Sequence, residues 1–375
     1  MNKESKSEYS KVGNDVELSQ PLITKSDEKD NNNEKSKNLG DFKVTSNVWI
    51  VSALSAGVIF SISNLLIGKT SYDSIGSRVL NGVGNLIAAM LYFAMHAINN
   101  AYQNNTSLID TSAFWKKNSG KFELKMILAL LVDSIVYIIG GYVLILGFEY
   151  ALYANMSQGV ITTLYSFTTV FLGVFGYFIF NEKLDGYQVV GIITLVGCVI
   201  LLAFSGSAST ETIVIVGGKE HERVSSLLPI MFAIMTTLYF LFRSLTVKAY
   251  TIKFETNSPY FTSISQGIVG IGFVIIFFAA YGINGIDSVI IRDAILGGFF
   301  QGIGGFLVIH AISVGYSGPA SALVSIQSVL QTILDAVLFG RIPNYFELIG
   351  LFLGIFGAFT LTIGPNIVQI IKNKF

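Results

Sequence analysis

The chain has 375 residues, of which 52% are apolar and 13% are charged, and its formal net charge is zero. A typical soluble domain has about a quarter charged residues, so most of this chain is too apolar for a surface that faces water. The zero net charge gives no support to nucleic-acid binding. The single cysteine, Cys198, excludes an intrachain disulfide.

The first 45 residues are rich in Lys, Glu, Ser and Asn and poor in aromatic residues. Such a segment cannot bury enough apolar area to offset the entropy lost on ordering. We therefore predict a disordered cytoplasmic tail over residues 1–45.

Ten apolar stretches of about twenty residues follow, and a helix of that length crosses a bilayer core. We predict an all-α polytopic membrane protein with ten transmembrane helices arranged as two repeats of five. The predicted repeats cover residues 46–204 and 226–365, with a linker loop at 205–225 and a cytoplasmic tail at 366–375. The predicted helices are 48–67, 79–98, 126–146, 159–180, 187–204, 226–245, 261–281, 293–314, 319–339 and 345–363.

Lys and Arg in the predicted loops are unevenly distributed. The side that holds the N-terminus has thirteen of them and the other side six, which favours a cytoplasmic location for both termini. The choice between the plasma membrane and an endolysosomal or vacuolar membrane stays open.

An internal repeat appears when the chain is shifted by 159 residues, because residues 159–202 then align with 318–361 without gaps. Ser166 meets Ser325 and Gly191 meets Gly350. Five helices per repeat is an odd number, so the second half must enter the membrane from the opposite face. An inverted repeat of this kind is common among secondary transporters.

The stretch from 147 to 206, which includes ALYAN and FNEKLDGYQVVG, resembles the EamA-type repeat of the drug/metabolite transporter superfamily. In that repeat a helix rich in small residues ends in Gly-Glu, and the next helix opens with Gln-x-x-Gly. This chain supplies Glu182, Gln188 and Gly191, with Asn181 in place of the glycine.

The second copy departs from the motif in a different way. Gly340 and Gly350 match, whereas Arg341 replaces the Glu and Glu347 replaces the Gln. The resemblance covers about residues 46–365 and implies a transporter whose cavity is lined by the first four helices of each half. The superfamily moves nucleotide sugars, sugar phosphates, amino acids, purines, metal ions and drugs, so the resemblance does not name a substrate.

Polar side chains inside the predicted helices are candidates for the transport path, because they are costly in hydrocarbon unless they face a cavity or a partner. Gln327, Gln331 and Asp335 follow an i, i+4, i+8 spacing that places them on one helix face. They are interpreted as a polar stripe that lines the path, and interhelical hydrogen bonding is the alternative. Further candidates are Asn64, Gln266 and Gln301.

Asp133 interrupts the third predicted helix. Burial disfavours the charged form of a carboxyl group, which suits proton coupling or contact with a cationic solute. A structural hydrogen bond to a neighbouring helix is an equal alternative.

No Lys or Arg lies near the middle of a predicted helix, and the predicted boundaries place Arg243, Arg292 and Arg341 at helix ends. Phosphate recognition depends on Arg and Lys, so a phosphorylated solute is disfavoured. No pair of His, Cys or carboxylate residues has metal-ligand spacing within a helix. Neither a metal site, nor a cofactor, nor an enzyme activity is expected.

The leading hypothesis is a secondary transporter that moves a small organic solute by alternating access. The solute is expected to be neutral, zwitterionic or cationic, such as an amino acid, a purine or an amine. A nucleotide-sugar or sugar-phosphate exchanger is the alternative, and a non-transporting receptor or scaffold is the second. The lipid bilayer surrounds the protein, protons are a candidate coupling ion, and a homodimer stays open.

Overall fold

The computed structural model describes residues 48–103, 114, 123–181, 186–205, 213–216, 218–254, 258–281, 288–339, 345–346, 348–357 and 360. The predicted tails at 1–45 and 366–375 lie outside the described residues. So do Glu182 and Gly340 of the two motif turns, and the side chain of Gln188.

Helices form nearly all of the described chain. Twelve helices and one hairpin can be assigned, with a short π-helical turn, Phe277–Tyr281, after the eighth helix. The elements are α1 Val48–Thr70, α2 Ser74–Gln103, α3 Leu124–Tyr153, α4 Gln158–Leu164, α5 Phe167–Phe180, α6 Gly186–Ser205, β1 Ile213–Val216, β2 Lys219–Glu222, α7 Leu227–Phe254, α8 Ser258–Ile276, α9 Ser288–Val314, α10 Ser317–Val324, α11 Ile326–Phe339 and α12 Leu348–Gly357.

Eight spans among the described residues are long and apolar enough to cross a membrane. Six of them are single helices, and the pairs α4–α5 and α10–α11 supply the other two, Gln158–Phe180 and Ser317–Leu338. The apolar parts of the fifth and tenth predicted helices are shorter, Val189–Cys198 and Leu348–Gly357. The membrane prediction is confirmed at this level.

The spans expose many apolar side chains at their outer surface and bury many polar side chains between them. Large apolar side chains such as Met90 and Phe178 are exposed, whereas Asn85, Thr169 and Gln331 are buried. An apolar outer surface suits lipid tails, and a polar interior satisfies groups that the hydrocarbon cannot.

Two spans that the sequence predicts as continuous helices are broken. The first stops at Leu164 and restarts at Phe167, and the second stops at Val324 and restarts at Ile326. The two breaks coincide under the shift of 159 residues. The predictions at 159–180 and 319–339 are therefore confirmed as spans, but each span is interrupted, at residues 165–166 and at residue 325.

Hydroxyl groups provide the local reason for the breaks. Ser325 Oγ donates to the carbonyl oxygen of Ser321 at 3.2 Å, and Ser328 Oγ donates to that of Ser325 at 2.8 Å. In the first copy Thr163 Oγ1 donates to the Gly159 carbonyl at 2.7 Å, and the Ser166 backbone amide donates to the Thr163 carbonyl three residues earlier at 2.9 Å. Ser and Thr that bond to nearby backbone groups compete with the regular helical ladder and bend it.

The two halves of the described chain interlock. Matching the helices in order pairs α1 with α7, α2 with α8, α3 with α9, α4 with α10 and α5 with α11. Under this matching, the contact between α1 and α9 corresponds to the contact between α7 and α3. The contact between α5 and α10 likewise corresponds to the contact between α11 and α4. Helix α2 packs on α8, which is its own counterpart. Each long helix of one half is thus held by a helix of the other.

Small residues allow the closest crossings. A Cβ added at Gly318 in α10 would lie 3.1 Å from Gly173 Cα in α5. In the same way, Cβ atoms added at Gly354 and Gly357 in α12 would lie 3.1 Å from Cys198 Sγ and 3.0 Å from the Gly191 carbonyl oxygen in α6. The two shorter helices therefore lie against each other.

Asn181 ends α5 in the left-handed conformation, with φ 52° and ψ 33°, and its amide donates to the Gly176 carbonyl. Glycine favours this position at a helix end, and asparagine is the side chain that tolerates it best. Asn181 therefore provides the left-handed residue that ends α5.

Part of the predicted linker loop is ordered as a hairpin. Strands β1 and β2 pair antiparallel, with Val216 opposite Lys219. The chain after β2 attaches to the end of α3, because the Val224 amide donates to the Tyr153 carbonyl at 3.1 Å and Arg223 Nε donates to that of Ala154 at 3.1 Å.

The crossing of α2 and α9 leads to a first prediction. A side chain added at Gly298 would overlap the backbone of Asn81, so Gly298→Val should lower the free energy of unfolding by about 1–3 kcal/mol or more. Gly272→Val is the matched control, since an added Cβ there meets nothing within 4 Å. The midpoint of thermal unfolding in detergent measures both, and equal midpoints would contradict the crossing.

Candidate functional site

A cavity lies where the two broken spans approach each other. Tyr165 and Ser325, at the two breaks, both line it, together with residues of α1, α3, α5, α7, α8, α9, α10 and α11. No described residue of α6 or α12 reaches its wall. The space open to the centres of water-sized spheres is about 70 Å³, whereas one water needs about 10–15 Å³ on this measure. The cavity therefore has room for several waters or a small solute.

Four of the seven path candidates line this cavity, namely Asn64, Gln266, Gln301 and Gln327. Asn64 Nδ2 donates to Gln327 Oε1 at 3.4 Å, which joins α1 to α11. The other three candidates, Asp133, Gln331 and Asp335, are buried in contacts between helices.

Arg243 also lines the cavity and is buried. The expectation that the arginines lie at helix ends is wrong for this residue, because α7 does not stop near residue 245 but continues to Phe254. Lys248, which the predicted boundaries place between the sixth and seventh helices, also lies in α7.

Arg243 forms an ion pair with Asp133 across α7 and α3. Arg243 Nε lies 3.2 Å from Asp133 Oδ1, and Ser265 Oγ donates to Asp133 Oδ2. Both carboxylate oxygens therefore have partners. This geometry agrees with the structural interpretation of Asp133, since the side chain holds three helices together.

A second buried arginine lies next to this pair. The Cζ atoms of Arg78 and Arg243 lie 5.3 and 4.6 Å from the centroid of the Tyr137 ring. Arg78 donates to the Tyr137 carbonyl at 3.1 Å and to Asn81 Oδ1 at 3.2 Å. Within the described part of the chain no carboxylate pairs with Arg78, so the cluster of Arg78, Asp133 and Arg243 has a positive excess.

Four buried polar atoms in residues of the cavity wall have no hydrogen-bond partner among the described residues, namely Tyr137 Oη, Tyr165 Oη, Arg243 Nη2 and Gln266 Oε1. A buried polar group without a partner costs about 1–3 kcal/mol, and more when the group is charged. Such groups in a cavity wall indicate that water or a ligand completes the site.

Gln331 and Asp335 lie in a polar contact between α11 and the start of α4. Gln331 Nε2 donates to Asp335 Oδ1 at 3.0 Å and to Gln158 Oε1 at 3.4 Å. Ser157 Oγ donates to Asp335 Oδ2 at 3.2 Å, and Gln158 packs on Gly68 near the end of α1. The predicted stripe is thus divided, with Gln327 at the cavity and the other two residues in interhelical hydrogen bonds.

A second polar contact lies at the opposite end of α1. Lys248 Nζ, fully buried, donates to Ser317 Oγ at 2.8 Å and to the Gly315 carbonyl at 3.3 Å. Trp49, near the start of α1, packs on Gly315. The two contacts lie toward the two ends of the helix bundle, and sequence reasoning missed the second because it placed Lys248 in a loop.

Comparisons with known proteins support the fold and no more. No family model matches the sequence, and no curated protein matches it. One solved structure, described only as a crystal structure of a protein, shares the fold with a TM-score of 0.58 over 87% of this chain and 100% of its own, at 11% identity. At that identity the likeness extends to the architecture alone.

The buried ion pair leads to a second prediction. Asp133→Asn and Arg243→Gln should each lower the free energy of unfolding by about 3–5 kcal/mol, because each leaves a charge buried without its partner. The double variant should lose less than the sum of the two, since it removes both charges. Lys69→Gln, which changes a half-exposed pair with Asp293, should cost about 0–1 kcal/mol. Chemical unfolding in detergent gives all four values, and additive losses would contradict the pairing.

Proposed function

We propose that the protein is a secondary transporter that moves a small organic solute across a membrane by alternating access between its two halves. The observation that supports this most directly is the central cavity, whose wall includes the break of one span from each half. Discontinuous helices that meet near the middle of a bundle form the solute sites of many secondary transporters.

The proposal extends to ten crossings in an inverted repeat. In this arrangement α6 and α12 are the fifth and tenth crossings, and they lie together away from the cavity. Two observations support this arrangement. The helix breaks lie at equivalent positions of the two halves, and the helix contacts stay the same when the two halves are exchanged. An odd number of crossings per half requires the halves to have opposite orientations, which is the arrangement that allows one half to rock against the other.

Two polar contacts are suited to act as alternate closures. Gln158, Gln331 and Asp335 join α4 to α11 at one end of the bundle, and Lys248 and Ser317 join α7 to α10 at the other. We propose that these hydrogen bonds break in turn as the cavity opens to each face. Hydrogen bonds between polar groups can be exchanged for water at modest net cost, which suits reversible closure.

The proposed solute is small, since the cavity is narrow and has aromatic walls that include Tyr137, Tyr165 and Phe240. Arg243 in the wall removes the argument against anionic solutes. A sugar-phosphate or nucleotide-sugar exchanger is therefore kept as a second candidate. Several Arg or Lys groups are typical of phosphate sites, however, and Arg243 is the one cation that the described part of the wall contains.

Reconstituted protein tests transport directly. Proteoliposomes with and without a pH gradient should take up at least one of labelled amino acids, purines, amines, carboxylates and sugar phosphates in a saturable way, whereas protein-free liposomes should not. Ser244→Phe should abolish that uptake, because it places an aromatic ring in the cavity wall. Met231→Phe is the control, since Met231 is exposed on the same helix.

Saturable uptake of none of these classes would contradict the transporter proposal and favour the receptor or scaffold. Uptake that does not depend on the pH gradient would exclude protons as the coupling ion. Equal uptake by Ser244→Phe and the unaltered protein would exclude the cavity as the path.

The proposed topology places both termini in the cytoplasm. In a Cys198→Ala background, cysteines at Lys3 and Lys374 should react with a membrane-impermeant maleimide only after the cells are permeabilised. A cysteine at Lys219, exposed in β2, should react in intact cells if the protein is in the plasma membrane. Labelling of the two termini from different sides would contradict an even number of crossings.

A further inference from the structure

We propose that Arg243 forms a carboxylate-binding subsite in the cavity, so that the transported solute is a small organic monoanion. This inference rests on the proposed function, because it names the solute class of the same cavity. It also revises the expectation of a neutral, zwitterionic or cationic solute that the sequence alone suggested.

Arg243 has a hydrogen-bond donor group that no described residue uses. A guanidinium group has five N–H donors in a planar fork and no acceptor. One of them, on Nε, is used by Asp133, whereas Nη2 is buried and has no partner within the described structure. A donor of this kind in a cavity wall is suited to an oxyanion, since N–H donors of arginine match carboxylate geometry.

The buried charges around Tyr137 do not balance. Arg78 and Arg243 flank the Tyr137 ring, and Asp133 compensates one of the two. The charge of Arg78, which is buried beside this pair but does not line the cavity, is left over, and uncompensated buried charge is costly. A bound carboxylate would neutralise it.

The same balance separates a carboxylate from a phosphate. A phosphate monoester has a charge of about −1.5 to −2 at neutral pH, which would leave the cluster with a negative excess. Both groups are oxyanions that Arg243 could contact, but only the monoanion matches the single spare positive charge. The structure therefore favours the carboxylate.

A cationic solute has no matching partner in the described wall. Asp133 does not line the cavity, and its two oxygens accept from Arg243 and Ser265. Gln266 Oε1 offers a neutral acceptor in the wall, which suits an N–H or O–H group on the remainder of the anion. The apolar remainder would contact the rings of Phe60 and Phe240.

A matched set of ligands on one skeleton tests the subsite. The full-length protein in lipid nanodiscs is titrated with 3-phenylpropanoate, 3-phenylpropanamide, 3-phenylpropylammonium and 3-phenylpropyl phosphate, and with the smaller pair acetate and acetamide. Binding is measured as the rise of the thermal unfolding midpoint with ligand concentration. We expect a carboxylate to bind at least about tenfold more tightly than its amide, the effect of one charge-assisted hydrogen bond.

The variants separate the subsite from a general preference for anions. The double variant Asp133→Asn/Arg243→Gln removes both members of the ion pair together, so it takes away the Arg243 donor without leaving Asp133 unpaired, and it should lose the preference for carboxylate over amide. Arg292→Gln, an exposed arginine whose partner is Asp293, should keep it. If the double variant does not fold, the ligand series on the unaltered protein still decides.

Equal midpoint shifts for carboxylate and amide, in both skeletons, overturn the proposal, as does tighter binding of the ammonium compound. Tighter binding of the phosphate overturns the carboxylate assignment in favour of a phosphorylated solute. Because this assay measures binding without flux, its failure is distinct from a failure of the uptake experiment, which tests transport with any solute.

Discussion

The ion pair between Asp133 and Arg243 is the interaction on which the centre of the protein depends. It joins α3 of the first half to α7 of the second, and Ser265 adds α8. In a bilayer the charges cannot be satisfied by bulk water, so each charge requires the other. The pair thus holds one edge of the cavity in place and also sets the charge of its wall.

The spans could be predicted from the sequence because hydropathy alone specifies them. The polar residues Asn64, Gln266, Gln301 and Gln327 could also be found, since a polar side chain within an apolar helix is conspicuous. The repeat offset of 159 residues places the two helix breaks at equivalent positions. Neither break contains Pro, and a hydropathy profile cannot detect a break made by Ser and Thr hydrogen bonds, so the two breaks were not predicted.

Arg243 could not be assigned correctly from a span length of about twenty residues. The helix that contains it has 28 residues, and an arginine near the end of a predicted span is indistinguishable from a loop residue. Its partner lies 110 positions earlier in the chain, beyond any local pattern. Lys248 was misplaced for the same reason.

The contact between Gly173 and Gly318 affects how the two broken spans can move. Side chains at a helix crossing usually form ridges that fit into grooves and fix the crossing angle. Where both helices present glycine, the backbones are in contact, and no side-chain ridge has to leave a groove when the crossing angle changes. The crossing at Gly173 and Gly318 is therefore a place where α5 can swivel on α10 with little steric resistance.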